Sequence, residues 1–193
     1  DGPDSAVQIA LEQGFPVAVK INSPEILHKS DIGGVHLNLE SPEAVKNAYH
    51  EILSAIRDAQ PQITAKNVLV NKMALPGLEV IVGMNRDPQF GPVILFGLGG
   101  IMVEIFQDVS LGLLPLTRDH ALAMIRKIRG HKLLLGYRGQ PPVDKQALAD
   151  CILAVAKMAE THPEIVEIDL NPVFVYPDGI LVVDARIIEK EES

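Results

Sequence analysis

The sequence predicts an α+β protein built as one domain or two small lobes. Three observations lead there. Strand-like segments outnumber helical ones, and the helices fall between them without the strict alternation of a parallel βαβ sheet. The chain has 193 residues, 47% hydrophobic and 22% charged, enough apolar material for a folded core and too ordered a composition for a disordered chain.

Taken in order, Ser5 is expected to cap a short helix with apolar positions Val7, Ile9, Ala10 and Leu11, ending at Gly14. Pro16 to Ile21 reads as a strand that is apolar except for Lys20, and Asn22 to Gly34 as a polar, turn-rich loop. Val35 to Leu39 alternates as a strand, and Ser41-Pro42 opens a helix with Val45, Ala48, Ile52 and Ile56 on one face. Asn67 to Met73 is a strand, Ala74 to Leu78 a short linker, Glu79 to Met84 a further strand, and Asp87 to Gly91 a turn. Pro92 to Phe96 and Ile101 to Phe106 are expected as two buried strands around a glycine turn, Gly97 to Gly100. Helices follow at Arg118 to Arg129 and Lys145 to Thr161, capped by Thr117 and Asp144. Ile165 to Arg186 closes the chain as a hairpin turning at Pro177-Asp178-Gly179.

Charge and cysteine usage narrow the function classes. Lys and Arg number 17 against 25 Asp and Glu, a net charge of −8, which argues against a nucleic-acid footprint or an anionic-membrane binder. Cys151 is the only cysteine, so no intramolecular disulfide forms and a cytoplasmic setting is expected. The longest apolar stretch, Pro92 to Val103, is broken by glycines and ends at Glu104, short of the roughly 20 residues of a spanning helix. Zinc-ligand spacing, a G-x-S-x-G elbow and a G-x-G-x-x-G fingerprint are all missing.

Chemistry concentrates in three places. An ammonium inside an apolar strand is costly unless it reaches water or an anion, so Lys20 points to an anion-holding cleft. The loop after it carries Ser23, His28, Lys29, Ser30, Asp31, Gly33 and Gly34, and its glycines permit close approach of a phosphate to backbone N–H groups. In the terminal hairpin, a turn spanning Tyr176 to Gly179 sets Val175 against Ile180 and Asn171 against Asp184, roughly 5 Å apart, while a turn of three residues offsets them by one. An amide oxygen beside a carboxylate suits Mg²⁺, and equally suits a simple cross-strand hydrogen bond. Glu79, directly after the linker, is placed to accept from hydroxyls, and Gly97 to Gly100 reads as a tight turn before it reads as a phosphate cradle.

The blocks GFPVAVKI (Gly14 to Ile21), SPEILHKSDIGGVHL (Ser23 to Leu37), GLEVIVGMNRDPQFGPVILFGLGG (Gly77 to Gly100), EIDLNPVFV and VVDARI together resemble the ATP-grasp domain of the NDP-forming acyl-CoA synthetases. That family includes the β subunit of ADP-forming acetyl-CoA synthetase. The resemblance implies an ATP-grasp fold, two α+β lobes gripping a nucleotide, with lobes over residues 1–72 and 73–193 and the N-terminal part of the fold missing, because members carry a helix and strand ahead of the first block. It implies that Lys20, Gly33 and Gly34 meet nucleotide phosphate, that the Asn71 to Ala74 segment, with Met73 and Ala74, meets the adenine through its backbone, and that Glu79 holds the ribose. Asn171 and Asp184 become Mg²⁺ ligands. His28 becomes the phosphohistidine of a relay from ATP. A CoA-binding subunit or domain with a second phosphohistidine is the implied partner, bringing the small carboxylic acid and CoA, in the reaction ATP + acid + CoA ⇌ ADP + phosphate + acyl-CoA. Two alternatives remain: a regulatory acyl-CoA synthetase-like module of a GNAT-type protein acetyltransferase, and a succinate- or malate-CoA ligase β subunit, against which the HKSD loop argues.

Overall fold

The structure, a computed structural model, describes residues 2–23, 25–26, 29–63, 67–100 and 107–190. The chain divides into two compact units, Asp1–Leu75 and Pro76–Ser193.

In the first unit, β1 (Val17–Ile21) runs antiparallel between β2 (Val35–Leu39) and β3 (Val68–Lys72). Alternation along β1 sends Val17, Val19 and Ile21 into a core with Ala6 and Ala10 of α1 (Pro3–Gln13) and Val45, Ala48, Tyr49, Ile52 and Ile56 of α2 (Pro42–Ala59). The α2 positions recur at three- and four-residue steps, the stripe that one helix face lays on a sheet. Its start is fixed by Ser41, whose Oγ accepts the Ala44 N–H at 3.2 Å. Ser5 does not cap α1. Gly2 takes the cap position without a side-chain bond and Pro3 opens the helix, leaving Ser5 inside the first turn. Proline's fixed φ and missing N–H suit that position and override the serine signal. Gly14 ends α1 as expected, at φ +76 with its N–H on the Ala10 carbonyl.

The second unit is a fully antiparallel six-stranded sheet of β4 (Leu78–Asp87), β5 (Gly91–Leu98), β6 (Val109–Leu113), β7 (Ile165–Tyr176), β8 (Gly179–Val182) and β9 (Ala185–Glu189). The order is β6-β5-β4-β7-β8, and β9 takes over the pairing with β7 beyond β8. Val80, Val82 and Met84 of β4, Ile94, Phe96 and Leu98 of β5, and Ile168, Val173 and Val175 of β7 form one core with α3 (Arg118–Lys127) and α4 (Lys145–Thr161). Thr117 caps α3, accepting the His120 N–H, and Asp144 caps α4, accepting from Gln146 and Ala147 at 3.0 Å. The chain leaves α3 two residues before the expected Arg129 and passes into a 3-10 segment, Arg129–Leu135. The strand expected over Ile101 to Phe106 lies outside the described residues. Among the described residues, no helix is long and apolar enough to cross a membrane.

A carboxylate with no sequence signal ties that 3-10 segment down. Asp108 is 9% exposed and accepts the Arg129 and Gly130 N–H groups, both at 2.7 Å. Gly130 has no room for a side chain, since an added Cβ meets Leu98 and lies 3.2 Å from Asp108 Oδ2. Removing a charged acceptor orphans two part-buried N–H donors, so Asp108→Ala is expected to lower stability by about 2–3 kcal/mol. The check is a shift of the denaturant midpoint at unchanged m-value.

Candidate functional site

Lys20 stands in the central strand of the first unit, directly between Val35 of β2 and Leu69 of β3. Because Val17, Val19 and Ile21 face the helices, alternation puts Ala18 and Lys20 on the opposite face of the sheet. Lys20 is nevertheless only 9% exposed there. An ammonium held at that depth is suited to meeting an anion in a confined setting.

The loop after β1 is fastened at several points. Asn22 N–H donates to the Asn67 carbonyl at 3.0 Å, and Ile21 N–H to the Gly34 carbonyl at 2.8 Å. Ile26, 3% exposed, belongs to the core of this unit. Gly33 N–H donates to Ser30 at 3.2 Å and Gly34 N–H to Lys29 at 2.7 Å. A Cβ on Gly34 would lie 2.8 Å from the Lys29 carbonyl oxygen and 2.9 Å from Ile21 Cγ2, so this position takes only glycine. Sequence reasoning offered these two N–H groups to a phosphate; here both are engaged in closing the loop. His28, between Ile26 and Lys29, lies outside the described residues.

Met73 and Ala74 follow β3, both half-buried. The Met73 N–H donates to the Pro16 carbonyl at 3.0 Å, which withdraws it from any base edge.

In the second unit Glu79 is exposed near the start of β4, opposite Phe174 of β7. The Gly99 N–H donates to the Glu79 carbonyl at 2.7 Å, closing β5 onto β4. Gly97 packs as closely on β6, where an added Cβ would lie 2.9 Å from Val109 Cγ1. The glycine run is thus a close-packing device at the end of β5, between β4 and β6.

The hairpin has the register that a turn ending at Gly179 demands, with Val175 opposite Ile180 and Tyr176 opposite Gly179. β8 ends at Val182 and β9 begins at Ala185, and across the gap the Asn171 N–H donates to the Asp184 carbonyl at 3.1 Å. Asn171 is exposed and Asp184 half-buried. The same register sets Asp169 opposite Arg186, whose Nη2 donates to Glu167 Oε1 at 2.6 Å. The sequence signal for this ion pair is the hairpin register itself, which carries Arg186 to the same stretch of β7 as Glu167. Among the described residues no group of three His, Cys, Asp or Glu side chains is arranged to hold a metal. An amide and a carboxylate side by side remain a fitting donor pair for a hard cation that keeps most of its shell for water and phosphate oxygens.

Cys151 lies buried on α4, and burial pushes its thiol pKa up, away from thiolate chemistry.

A family model described as an ATP-grasp domain matches residues 1–188. The chain is 48% identical over 185 residues to the β subunit of an ADP-forming acetate–CoA ligase I of Pyrococcus furiosus, covering 96% of this chain and 80% of that one. It is 47% identical over 189 residues to the ADP-forming acetate–CoA ligase I of Archaeoglobus fulgidus, covering 98% of this chain and only 27% of that longer one. Among solved structures it is similar to acetyl-coenzyme A synthetase 1 of Ca. Korarchaeum cryptofilum in complex with coenzyme A and Ca-AMPCP, with TM-score 0.95 and 47% identity over 98% of this chain and 83% of that one. Another structure of that synthetase, with coenzyme A and Mg-AMPPCP and its phosphohistidine segment pointing towards the nucleotide binding site, gives TM-score 0.83 at 47% identity over 97% and 82% of the two chains.

Proposed function

This chain belongs to the ATP-grasp domain family, and from that premise we propose that it is the nucleotide-binding part of an ADP-forming acid–CoA ligase of the acetyl-CoA synthetase type. The observation that carries the reading to chemistry is the Asn171–Asp184 juxtaposition at the gap between β8 and β9. These two residues hold Mg²⁺, which when bound neutralises charge on the nucleotide phosphates. Lys20 meets a phosphate oxygen, the Met73 carbonyl and Ala74 N–H meet the adenine edge, and Glu79 accepts from the ribose. Gly33 and Gly34 serve the phosphate indirectly, by closing the loop that carries His28.

His28 is the nucleophile. Its neutral imidazole nitrogen attacks the terminal phosphorus of ATP, the N–P bond forms as the bond to the bridging oxygen of ADP breaks, and one hard transfer is divided into two easier ones. The phosphate then passes to a second histidine on a CoA-binding subunit or domain and from there to the carboxylate of the acid, and the CoA thiol attacks the acyl phosphate, forming acyl-CoA as phosphate leaves. The lengths of the relatives support such a partner, since the matched region is most of a separate β subunit but about a quarter of a single-chain ligase. The acidic balance and the single buried cysteine support a cytoplasmic setting. The regulatory-module and succinate-ligase alternatives gain no observation of their own from the fold.

The test is calorimetric titration of the assembled ligase with Mg-ATP and Mg-ADP, followed by transfer of label from the terminal phosphate of ATP. Saturable binding and an acid-labile label on this chain are expected. An enzyme that binds neither nucleotide and takes no label would end the proposal.

A further inference from the structure

We propose that Gly100 and its neighbour Gly99 are positioning residues for the Glu79 carboxylate, and that they thereby set the preference of the site for a ribose over a deoxyribose ring. This rests on the reading of Glu79 as the ribose-holding group.

An exposed glutamate samples several rotamers, and each one that aims away from the sugar dilutes its affinity for the hydroxyls. Glu79 is restrained on two levels. Its backbone is pinned by pairing with Phe174 on one side and by the Gly99 N–H on its carbonyl, 2.7 Å away, on the other. Its side chain lies directly over the glycine pair. A Cβ at position 99 would stand 2.9 Å from Glu79 Cβ and 3.0 Å from its carbonyl carbon, so a side chain there would displace the strand itself. A Cβ at position 100 would stand 3.0 Å from Glu79 Oε2 and 3.9 Å from its carboxyl carbon, touching only the end of the side chain. Gly99 therefore holds the strand, and Gly100 leaves a bare surface on which the carboxylate rests. A methyl group at 100 pushes the carboxylate off that surface and leaves β4 where it is.

Gly100 also has φ +62, so an alanine there adds backbone strain of its own. Gly91, the first residue of β5, provides the control. Its φ is +72, and an added Cβ meets nothing within 4 Å. Gly91→Ala thus imposes the same kind of strain on the same strand pair without touching Glu79. Asparagine tolerates a left-handed conformation better than other residues with a side chain, so Gly100→Asn places a Cβ at 100 with less strain if the alanine variant folds poorly.

The experiment measures the dissociation constants of Mg-ADP and of its 2′-deoxy and 3′-deoxy analogues on the assembled ligase. The wild type is expected to prefer the ribonucleotide about tenfold or more, the scale of a charge-assisted hydrogen bond. Glu79→Ala should bring the ratio close to one. Gly100→Ala or Gly100→Asn should reduce it at least threefold, add nothing further in the Glu79→Ala background, and leave Gly91→Ala with the wild-type ratio. A wild-type ratio in both Gly100 variants beside a lost ratio in Glu79→Ala overturns the positioning role and keeps the ribose reading. Loss of the ratio in Gly91→Ala as well assigns the effect to strain and overturns it too. A wild-type ratio in Glu79→Ala overturns the ribose reading itself.

Discussion

An Asp184→Ala variant is expected to lose Mg²⁺-dependent nucleotide affinity by about 100-fold or more while unfolding at the wild-type denaturant concentration. Losing a ligand should cost at least as much as losing the partners that orient one, which typically costs about 10–100-fold. The fold should not notice, because the tie across the hairpin gap is made by the Asp184 main-chain carbonyl, which alanine keeps. Of the side-chain contacts, the variant gives up the bond that Asp184 Oδ1 accepts from the Ala185 N–H, 3.2 Å long and exposed. Stability should stay within about 0.5 kcal/mol, as for other surface substitutions. The measurement is titration with ADP in the presence of Mg²⁺ and again with the cation chelated. Equal affinities for wild type and variant with Mg²⁺ present would remove Asp184 from the cation.

His28→Ala in the assembled enzyme is expected to bind Mg-ATP with wild-type affinity, form no acid-labile phosphate on this chain, and turn over at least about 10⁴ times more slowly, as removal of a nucleophile does elsewhere. The segment should survive the change. Among the described residues the segment is fastened by Ile26 in the core on one side and by the Lys29 to Gly34 turn on the other. Near-normal turnover in this variant would show that the phosphate does not travel through His28.

Both predictions rest on residues that were legible in the sequence, for reasons that differ from one element to the next. The helices beginning after Ser41 and Asp144 carry their own start signals, and both begin where those signals stand. The hairpin register follows once the turn length is fixed, and the pairings along it follow in step as far as Glu167, beyond which the register shifts at Ile165. Strand β6 was invisible because it inverts the usual rule. Its large residues Val109, Leu111 and Leu113 face outwards, while Ser110 is buried and Gly112 sits under Met124, where a Cβ would come within 2.6 Å of the sulfur. A pattern search that assumes apolar-inward alternation reads such a strand backwards. Asp108 was hidden for another reason, since its partners lie more than twenty residues further along the chain. The sequence presents Gly97 to Gly100 as a turn, whereas Gly97 continues β5; that Gly99 and Gly100 flank Glu79 is a property of strand pairing, and no local spacing reports it.

Strand β7 lies between β4 on one edge and β8 followed by β9 on the other, with the pairing interrupted only around Asn171 and Pro172 and at its start. Sheets open from their outer strands inwards, and here β6 is one such strand, carrying exposed apolar groups. The amide protons of β7 and of the middle of β4 therefore belong to the slowest-exchanging set in this unit, whereas β6 is free to fray on a shorter timescale. Asn171 sits between these paired stretches, and its N–H is bonded to the Asp184 carbonyl. The carboxylate and amide that would meet a cation thus keep their spacing through excursions that unzip the far side of the sheet.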